Sequence, residues 1–256
     1  MNKVGVNFEN VLTLKEELNL NLIETLSKLK SLGITSLDVK YERLTGENSY
    51  LKEILISNLN VGCVFVFCPL YNRNNLQKAL KVIDFCAEYK IGEIMLITDF
   101  LPNGYGEEDV NNFKQNLRRI VKYAQNFGIV IGVENVGVSG YPVQTLKQTL
   151  DILKSVKGLN LIFDGGNYLA SGEDVLLASK ELAPFVQRLH LKNLKFDSGL
   201  LIPSAVGDGN IDYLSVFNEV KKFYPAVPLV IEFPFEHKSV LSLLEKSTLY
   251  VHTEMI

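Results

Sequence analysis

Short runs rich in Val, Ile and Leu alternate with longer amphipathic stretches along the whole chain, and this alternation constrains the fold more than any other feature. The runs are KVGVN (3–7), SLDVK (36–40), NVGCVFVF (60–67), EIMLIT (93–98), IVIGVE (129–134), LNLIFD (159–164), RLHLK (188–192) and PLVIEF (228–233). Between them lie LIETLSKLKSLG, LQKALKVIDFCAEYKIG, FKQNLRRIVKYAQNFG, VQTLKQTLDILKSVKG and YLSVFNEVKKFY, several of which end on glycine, the common helix-stopping residue. Strands alternating with helices imply a parallel sheet covered by helices. Eight such units, each about 32 residues long, predict a closed (β/α)8 TIM barrel over 1–256, read as one domain without a linker or low-complexity segment. A doubly wound open sheet is the competing architecture. Its dinucleotide-binding form is disfavoured, because the first strand-to-helix turn, NFENVLTL, has no GxGxxG.

Charge and composition narrow the function classes. Net charge is −3 with no block of Lys or Arg, unlike the basic footprint of a nucleic-acid binder. MNKVGVNFEN lacks the basic start and apolar run of a signal peptide, and the longest apolar stretch, around 61–70, is too short to span a bilayer. Cys63, Cys68 and Cys86 have neither CxxC spacing nor an even count, which argues against a disulfide framework. The expectation is a reduced, cytoplasmic protein that engages neither nucleic acid nor membrane.

Side chains alternate across a strand, so residues two apart share a face. In IVIGVE, Glu134 shares its face with Gly132 and Val130; in LNLIFD, Asp164 sits with Ile162 and Asn160. In RLHLK, His190 sits with Arg188 and Lys192; in PLVIEF, Glu232 sits with Val230. The opposite faces are wholly apolar and suit the helix-packed side of a barrel. Glu134, Asp164, His190 and Glu232 are therefore expected to point into the barrel near the C-terminal ends of four consecutive strands, the face where barrel enzymes keep their sites. Taken singly, a strand-end carboxylate is more often a helix cap or an ion-pair partner. Three carboxylates converging in a poorly solvated interior repel one another unless a cation sits among them. With one imidazole they make a ligand set for one divalent ion per chain, Mn²⁺ or Mg²⁺ first, with Co²⁺ or Zn²⁺ as alternatives.

Here the residues also carry a resemblance. GVEN, FDGGN, SGEDVLLASKELAPFVQRLHLKN and VGDGNIDYLSVFNEV leading to VIEF, in that order, resemble the xylose-isomerase-like TIM-barrel superfamily of sugar isomerases and epimerases, which includes D-tagatose 3-epimerase, hydroxypyruvate isomerase and inosose dehydratase relatives. The match covers about the last half of the chain, with LGITSLDVK resembling the second strand. The resemblance implies a metal held by Glu134, Asp164, His190 and Glu232. It also implies that Gly165 and Gly166 turn the backbone away from substrate. Asn167 stands where the sugar epimerases usually carry a His, and Phe196 where they carry an Arg, so those two family residues are not carried over.

The implied chemistry is isomerisation or epimerisation of a sugar or sugar phosphate through a proton taken from carbon beside a carbonyl. A divalent cation stabilises the negative charge, and Glu134 and Glu232 serve as both ligands and acid/base groups. Lys192, Asn167, Asp38, Lys40 and Asn7 are the candidate substrate contacts, with an Asp38–Lys40 ion pair as the other reading of that pair. Cys68 reads as a small core filler, and His237 and His252 as structural or solvent-facing. A metal-dependent dehydratase of a polyol or keto-acid is the alternative enzyme, and a non-catalytic sugar-binding barrel the alternative of another class. A nuclease resembling endonuclease IV needs a histidine-rich cluster, and the chain has only 3 His. Oligomeric state leaves no readable mark; the resemblance is compatible with a homodimer. Two long connections, DFLPNGYGEED (99–109) and NLKFDSGLLIPSAVGDGN (193–210), leave strand C-terminal ends as either lids or surface decoration.

Overall fold

The computed structural model describes residues 3–71, 76–98, 104, 106–234 and 239–256. Seven barrel strands come first: β1 (Val4–Asn7), β2 (Ser36–Lys40), β3 (Asn60–Cys68), β4 (Glu93–Thr98), β5 (Val130–Glu134), β6 (Leu159–Asp164) and β7 (Val186–Leu191). A hairpin, β8 (Leu194–Asp197) and β9 (Leu200–Pro203), interrupts the series before the last barrel strand, β10 (Leu229–Ile231). The order β1-β10-β7-β6-β5-β4-β3-β2 closes on itself with every pairing parallel, giving the expected single (β/α)8 barrel.

The helices are α1 (Phe8–Glu17), α2 (Leu22–Ser31), α3 (Tyr41–Leu44), α4 (Leu51–Ser57), α5 (Gln77–Glu88), α6 (Glu107–Gln125), α7 (Leu146–Ser155), α8 (Gly165–Ala170), α9 (Val175–Leu182), α10 (Tyr213–Val220) and α11 (Val240–Tyr250). The sheet accounts for their placement. Ile131, Val133, Leu161, Phe163, Leu189, Leu191, Leu229 and Ile231 alternate outward and join the main core beneath the helices. Inside the barrel, Cys63, Phe65, Met95, Ile97 and Ile162 form a second, separate apolar cluster against the walls of β3, β4 and β6. The interior also holds charged side chains, among them Asp38, Arg188 and His190. Cys63, Cys68 and Cys86 are all buried thiols outside any disulfide, and Cys68 packs in the main core, as expected of a filler.

Two departures from the sequence-based expectation have local causes. α6 begins at Glu107, inside the stretch expected to be loop, because Glu107, Glu108 and Asp109 in its first turn complement the helix dipole. The rest of that connection lies largely outside the described residues. The second long connection is not irregular: it forms the antiparallel hairpin β8–β9, closed by Ser198 and Gly199 with φ of 49° and 83°. Positive φ at both central residues matches a two-residue hairpin turn, and the Ser-Gly pair was its sequence signal.

One side chain fastens the two ends of the barrel together. The Asn10 amide donates to the Phe233 carbonyl at 3.0 Å and accepts from the Phe233 N–H at 2.9 Å, both groups buried. It thus supplies the hydrogen bonds of a missing strand residue just past β10. Asn10→Ala leaves both backbone groups without their partner and should lower stability by about 2 kcal/mol or more, read from urea denaturation. An unchanged midpoint would show that the clamp contributes nothing.

Candidate metal centre

The strand-end residues converge as their faces predict. Asp164 closes β6 level with His190 on β7, and His190 is level with Val230, so Glu232 stands one inward step beyond it. Glu134 closes β5. One ligand atom from each lies within 4.8 Å of the others. Asp164 and His190 are fully buried, whereas Glu134 and Glu232 keep 8% and 5% exposure.

The His190 ring stands between the two glutamates. Its Nδ1 lies 2.7 Å from Glu134 Oε1 and 3.0 Å from Glu232 Oε2. A single ring N–H cannot serve both, and only the Glu134 contact has hydrogen-bond geometry. Glu232 Oε2 is left buried with no hydrogen-bond donor among the described residues. A carboxylate oxygen in that state is costly unless a cation meets it. This one faces an imidazole nitrogen and two more carboxylates, a donor set that fits a divalent ion. Glu134, Asp164, His190 and Glu232 are the residues that would hold it.

Lys192 adds a fixed positive charge at the edge of this group. Its Nζ lies 2.6 Å from Asp164 Oδ2, 3.0 Å from Glu232 Oε1 and 3.4 Å from Asn167 Oδ1. Burial pushes the Asp164 carboxyl above the usual carboxylate range, against the pull of Lys192. Burial acts the same way on Glu232, but there the Lys192 ammonium and the His190 ring prevail and hold it well below that range. For His190, burial opposes the charge, and the neighbouring carboxylates of Asp38, Glu134 and Glu232 outweigh it and push the ring above its ordinary value.

Beneath the cluster lies a second layer of charge. Arg188 grips Glu93 with two bonds of 2.7 Å, donates to Asp38 Oδ1 at 3.1 Å and reaches the Gly62 carbonyl at 3.0 Å. Asp38 Oδ2 in turn lies 3.1 Å from His190 Nε2. Alternation places Arg188 on the inward face but names no partner for it. Glu93, the first residue of β4, carries no sequence signal of its own.

The remaining candidates separate. Asn167 lines an open cleft of about 310 Å³ with Lys192 and Glu232, between Val136, Val138 and Ala170. Asp38 is fully buried and spoken for on both oxygens, so its partners are Arg188 and His190 rather than Lys40. Lys40 Nζ instead sits 5.3 Å from the centre of the Phe67 ring. Asn7 is buried and caps α1, accepting from the Glu9 N–H at 3.0 Å. His252 packs over Gly33, where an added Cβ would lie 2.5 Å from its Nε2. His237 lies outside the described residues.

The local sequence explains how Asp164 is held. Its Oδ1 caps α8 by accepting from the Asn167 N–H at 2.9 Å, leaving Oδ2 for the cluster. The cap and the inward-facing carboxylate are the same residue. Gly165 and Gly166 begin α8 at close approaches to neighbouring elements. A Cβ on Gly165 would lie 2.8 Å from the Tyr213 hydroxyl, and one on Gly166 2.4 Å from the Lys192 carbonyl oxygen. Asn135 pairs with both backbone groups of Asp164, at 2.8 and 2.9 Å, as Asn10 does with Phe233. Tyr213 donates to the carbonyls of His190 and Lys192, at 3.2 and 3.0 Å, and Asn193 ties the end of β7 to Ala205 and Ile211. Their partners are remote in sequence; only their place within GVEN, HLKN and GDGNIDY marks them.

Comparison with known proteins places this geometry. The chain is 28% identical over 133 residues to inosose dehydratase from Mesomycoplasma hyopneumoniae (strain 7448), an alignment spanning 45% of this chain and 44% of that relative, so less than half of either. The structure of an L-ribulose 3-epimerase superposes with a TM-score of 0.77 at 15% identity, covering 98% of this chain and 93% of the other. That of the IOLI protein with a bound zinc atom gives a TM-score of 0.74 at 17% identity over 97% and 96%. At these identities the structural likeness is one of fold. The family model of the xylose isomerase-like TIM barrel matches residues 26–248, most of the chain, and the chain belongs to that family.

Proposed function

We propose that this chain is a divalent-metal-dependent isomerase or epimerase of a sugar or sugar phosphate. The observation that carries the reading is the difference in exposure within the cluster. Asp164 and His190 are sealed, while Glu134 and Glu232, from opposite ends of the four-strand run, keep the 8% and 5% exposure through which a substrate can touch them. Two carboxylates in reach of one substrate suit a reaction that removes a proton and gives one back.

In this reading one glutamate takes the proton from carbon beside the substrate carbonyl, and the C–H electron pair moves onto the carbonyl oxygen. The other glutamate, protonated at the start, gives its proton to the opposite face of the same carbon for an epimer. For an isomer the proton goes to the former carbonyl carbon, while the neighbouring hydroxyl passes its own proton to the former carbonyl oxygen and becomes the new carbonyl. A bound divalent ion, Mn²⁺ or Mg²⁺ from the oxygen-rich donor set, supplies electrophilic stabilisation of the oxygen that gains charge. Lys192 and Asn167, which line the cleft, bind substrate hydroxyls. A cytoplasmic location belongs to the same reading, supported by three buried cysteines that remain thiols.

One observation favours a second reaction at the same site. The Lys192 ammonium borders the cleft 3.0 Å from Glu232 Oε1, where it can give a proton to a departing hydroxyl after Glu232 or Glu134 has taken the neighbouring one. Loss of water from a polyol ketone would follow, in keeping with the likeness to an inosose dehydratase.

Incubation of the metal-loaded protein with a panel of ketoses and cyclic polyol ketones in D₂O distinguishes these outcomes. Isomerase or epimerase action puts deuterium on carbon beside the carbonyl with the mass otherwise conserved; dehydration removes one water. Glu134→Gln and Glu232→Gln should each lower turnover by roughly a hundredfold or more with the fold intact by circular dichroism. Substantial retained turnover would count against the double role of the glutamates. Lys192→Met takes an ammonium away from two of the ligand carboxylates and should tighten Mn²⁺ binding by roughly tenfold in calorimetric titration. Weaker binding would show that Lys192 orders those carboxylates rather than competing for them.

A further inference from the structure

We propose that Asp38 is a positioning residue that fixes the tautomer of His190, committing Nδ1 to the cation; the inference rests on the metal-centre reading above. Asp38 Oδ2 lies 3.1 Å from Nε2, on the side of the ring away from the ligand cluster, and both residues are fully buried. The other oxygen of Asp38 is held at 3.1 Å by Arg188. Arg188 is itself fixed by its fork on Glu93 and by the Gly62 carbonyl, so the carboxylate has a defined direction as well as a defined place.

The chemistry follows from donor and acceptor counts. A guanidinium stays protonated in a protein, and an ionised carboxylate only accepts hydrogen bonds. With Arg188 on one oxygen, Asp38 is an acceptor toward His190, and Nε2 must carry the hydrogen. A bound ion takes the place of the hydrogen on Nδ1, and the neutral imidazole that then ligates it has one N–H. Holding that hydrogen at Nε2 leaves the lone pair on Nδ1, the nitrogen that faces Glu134 Oε1 and Glu232 Oε2 at 2.7 and 3.0 Å. In the other tautomer an N–H would point at those carboxylates, bind them as an ordinary donor and occupy the place of the ion. Asp38 therefore acts on the cation site through His190 and not on the substrate.

Zinc is the probe, being diamagnetic and accepting both imidazole and carboxylate ligands. Full-length wild type, ¹⁵N-labelled at histidine and loaded with Zn²⁺, should show His190 with its proton on Nε2 and a metal-shifted Nδ1 in long-range ¹H–¹⁵N correlation spectra. His237→Gln and His252→Gln identify the other two rings. A proton on Nδ1, or ligation through Nε2, overturns the proposal without any change at Asp38. Asp38→Asn keeps the size of the side chain but can turn an NH₂ toward Nε2; it should weaken Zn²⁺ binding by roughly 10- to 100-fold, as loss of a partner hydrogen-bonded to a metal-bound histidine does. If Asp38 mattered only for structure, the variant would unfold at lower temperature while its folded fraction kept wild-type zinc affinity and tautomer, and that result also overturns the proposal. Wild type that takes up no Zn²⁺ removes the metal-centre reading and this inference with it. Wild type that binds through Nδ1, with Asp38→Asn binding equally well, leaves the metal centre standing and ends the role of Asp38 alone.

Discussion

Asp38, Glu93, Glu134, Asp164 and Glu232 share the interior of one barrel, and the rest of the structure is arranged around keeping that much negative charge out of water. Each buried carboxylate costs free energy unless a cation or a set of donors meets it. Arg188 meets two of them, Lys192 two, and His190 touches three. The oxygen this network leaves without a donor, Glu232 Oε2, lies where the four ligand atoms gather. The internal cations neutralise the lower layer and the edge of the upper one, and the candidate ligand atoms gather at the centre.

Charge alone does not hold such a site to the geometry an ion requires; the backbone has to be fixed as well. The strands end at or close to the residues that matter: β10 ends at Ile231, one residue before Glu232, and β6 ends at Asp164 itself. Asparagine side chains carry the hydrogen bonding past those ends, Asn10 on Phe233 and Asn135 on Asp164, each as a donor–acceptor pair to one residue. Tyr213 and Asn193 do the same for the end of β7. Side chains locked by such support hold catalytic geometry more closely than free loops do.

What was legible in the sequence followed from local periodicity. Strand alternation placed Glu134, Asp164, His190 and Glu232 on one inward surface because a two-residue period survives without knowledge of the partner strands. The same rule put Arg188 and Asp38 inside but could not pair them, since they lie 150 residues apart and meet only through closure. Asn10 and Phe233 are separated by 223 residues, and nothing near either announces the other. The packing that requires Gly165 and Gly166 was hidden for the same reason: the Tyr213 hydroxyl and the Lys192 backbone are distant in the chain. The Ser-Gly turn of β8–β9 was local and readable, but the expectation of a long irregular connection hid it.

Closure of β1 against β10, reinforced by the Asn10 clamp, also orders events in the life of the molecule. Chains emerge from the ribosome N-terminus first, and contacts of long sequence separation are the slow ones to form. The first strand waits exposed on one edge until β10 has been made, and Glu232 follows that strand immediately. A partly synthesised chain thus holds Glu134, Asp164 and His190 but neither a sealed barrel nor the fourth carboxylate. The cluster becomes complete at the step that removes the last open sheet edge, so the four-residue candidate cation site belongs to finished molecules alone.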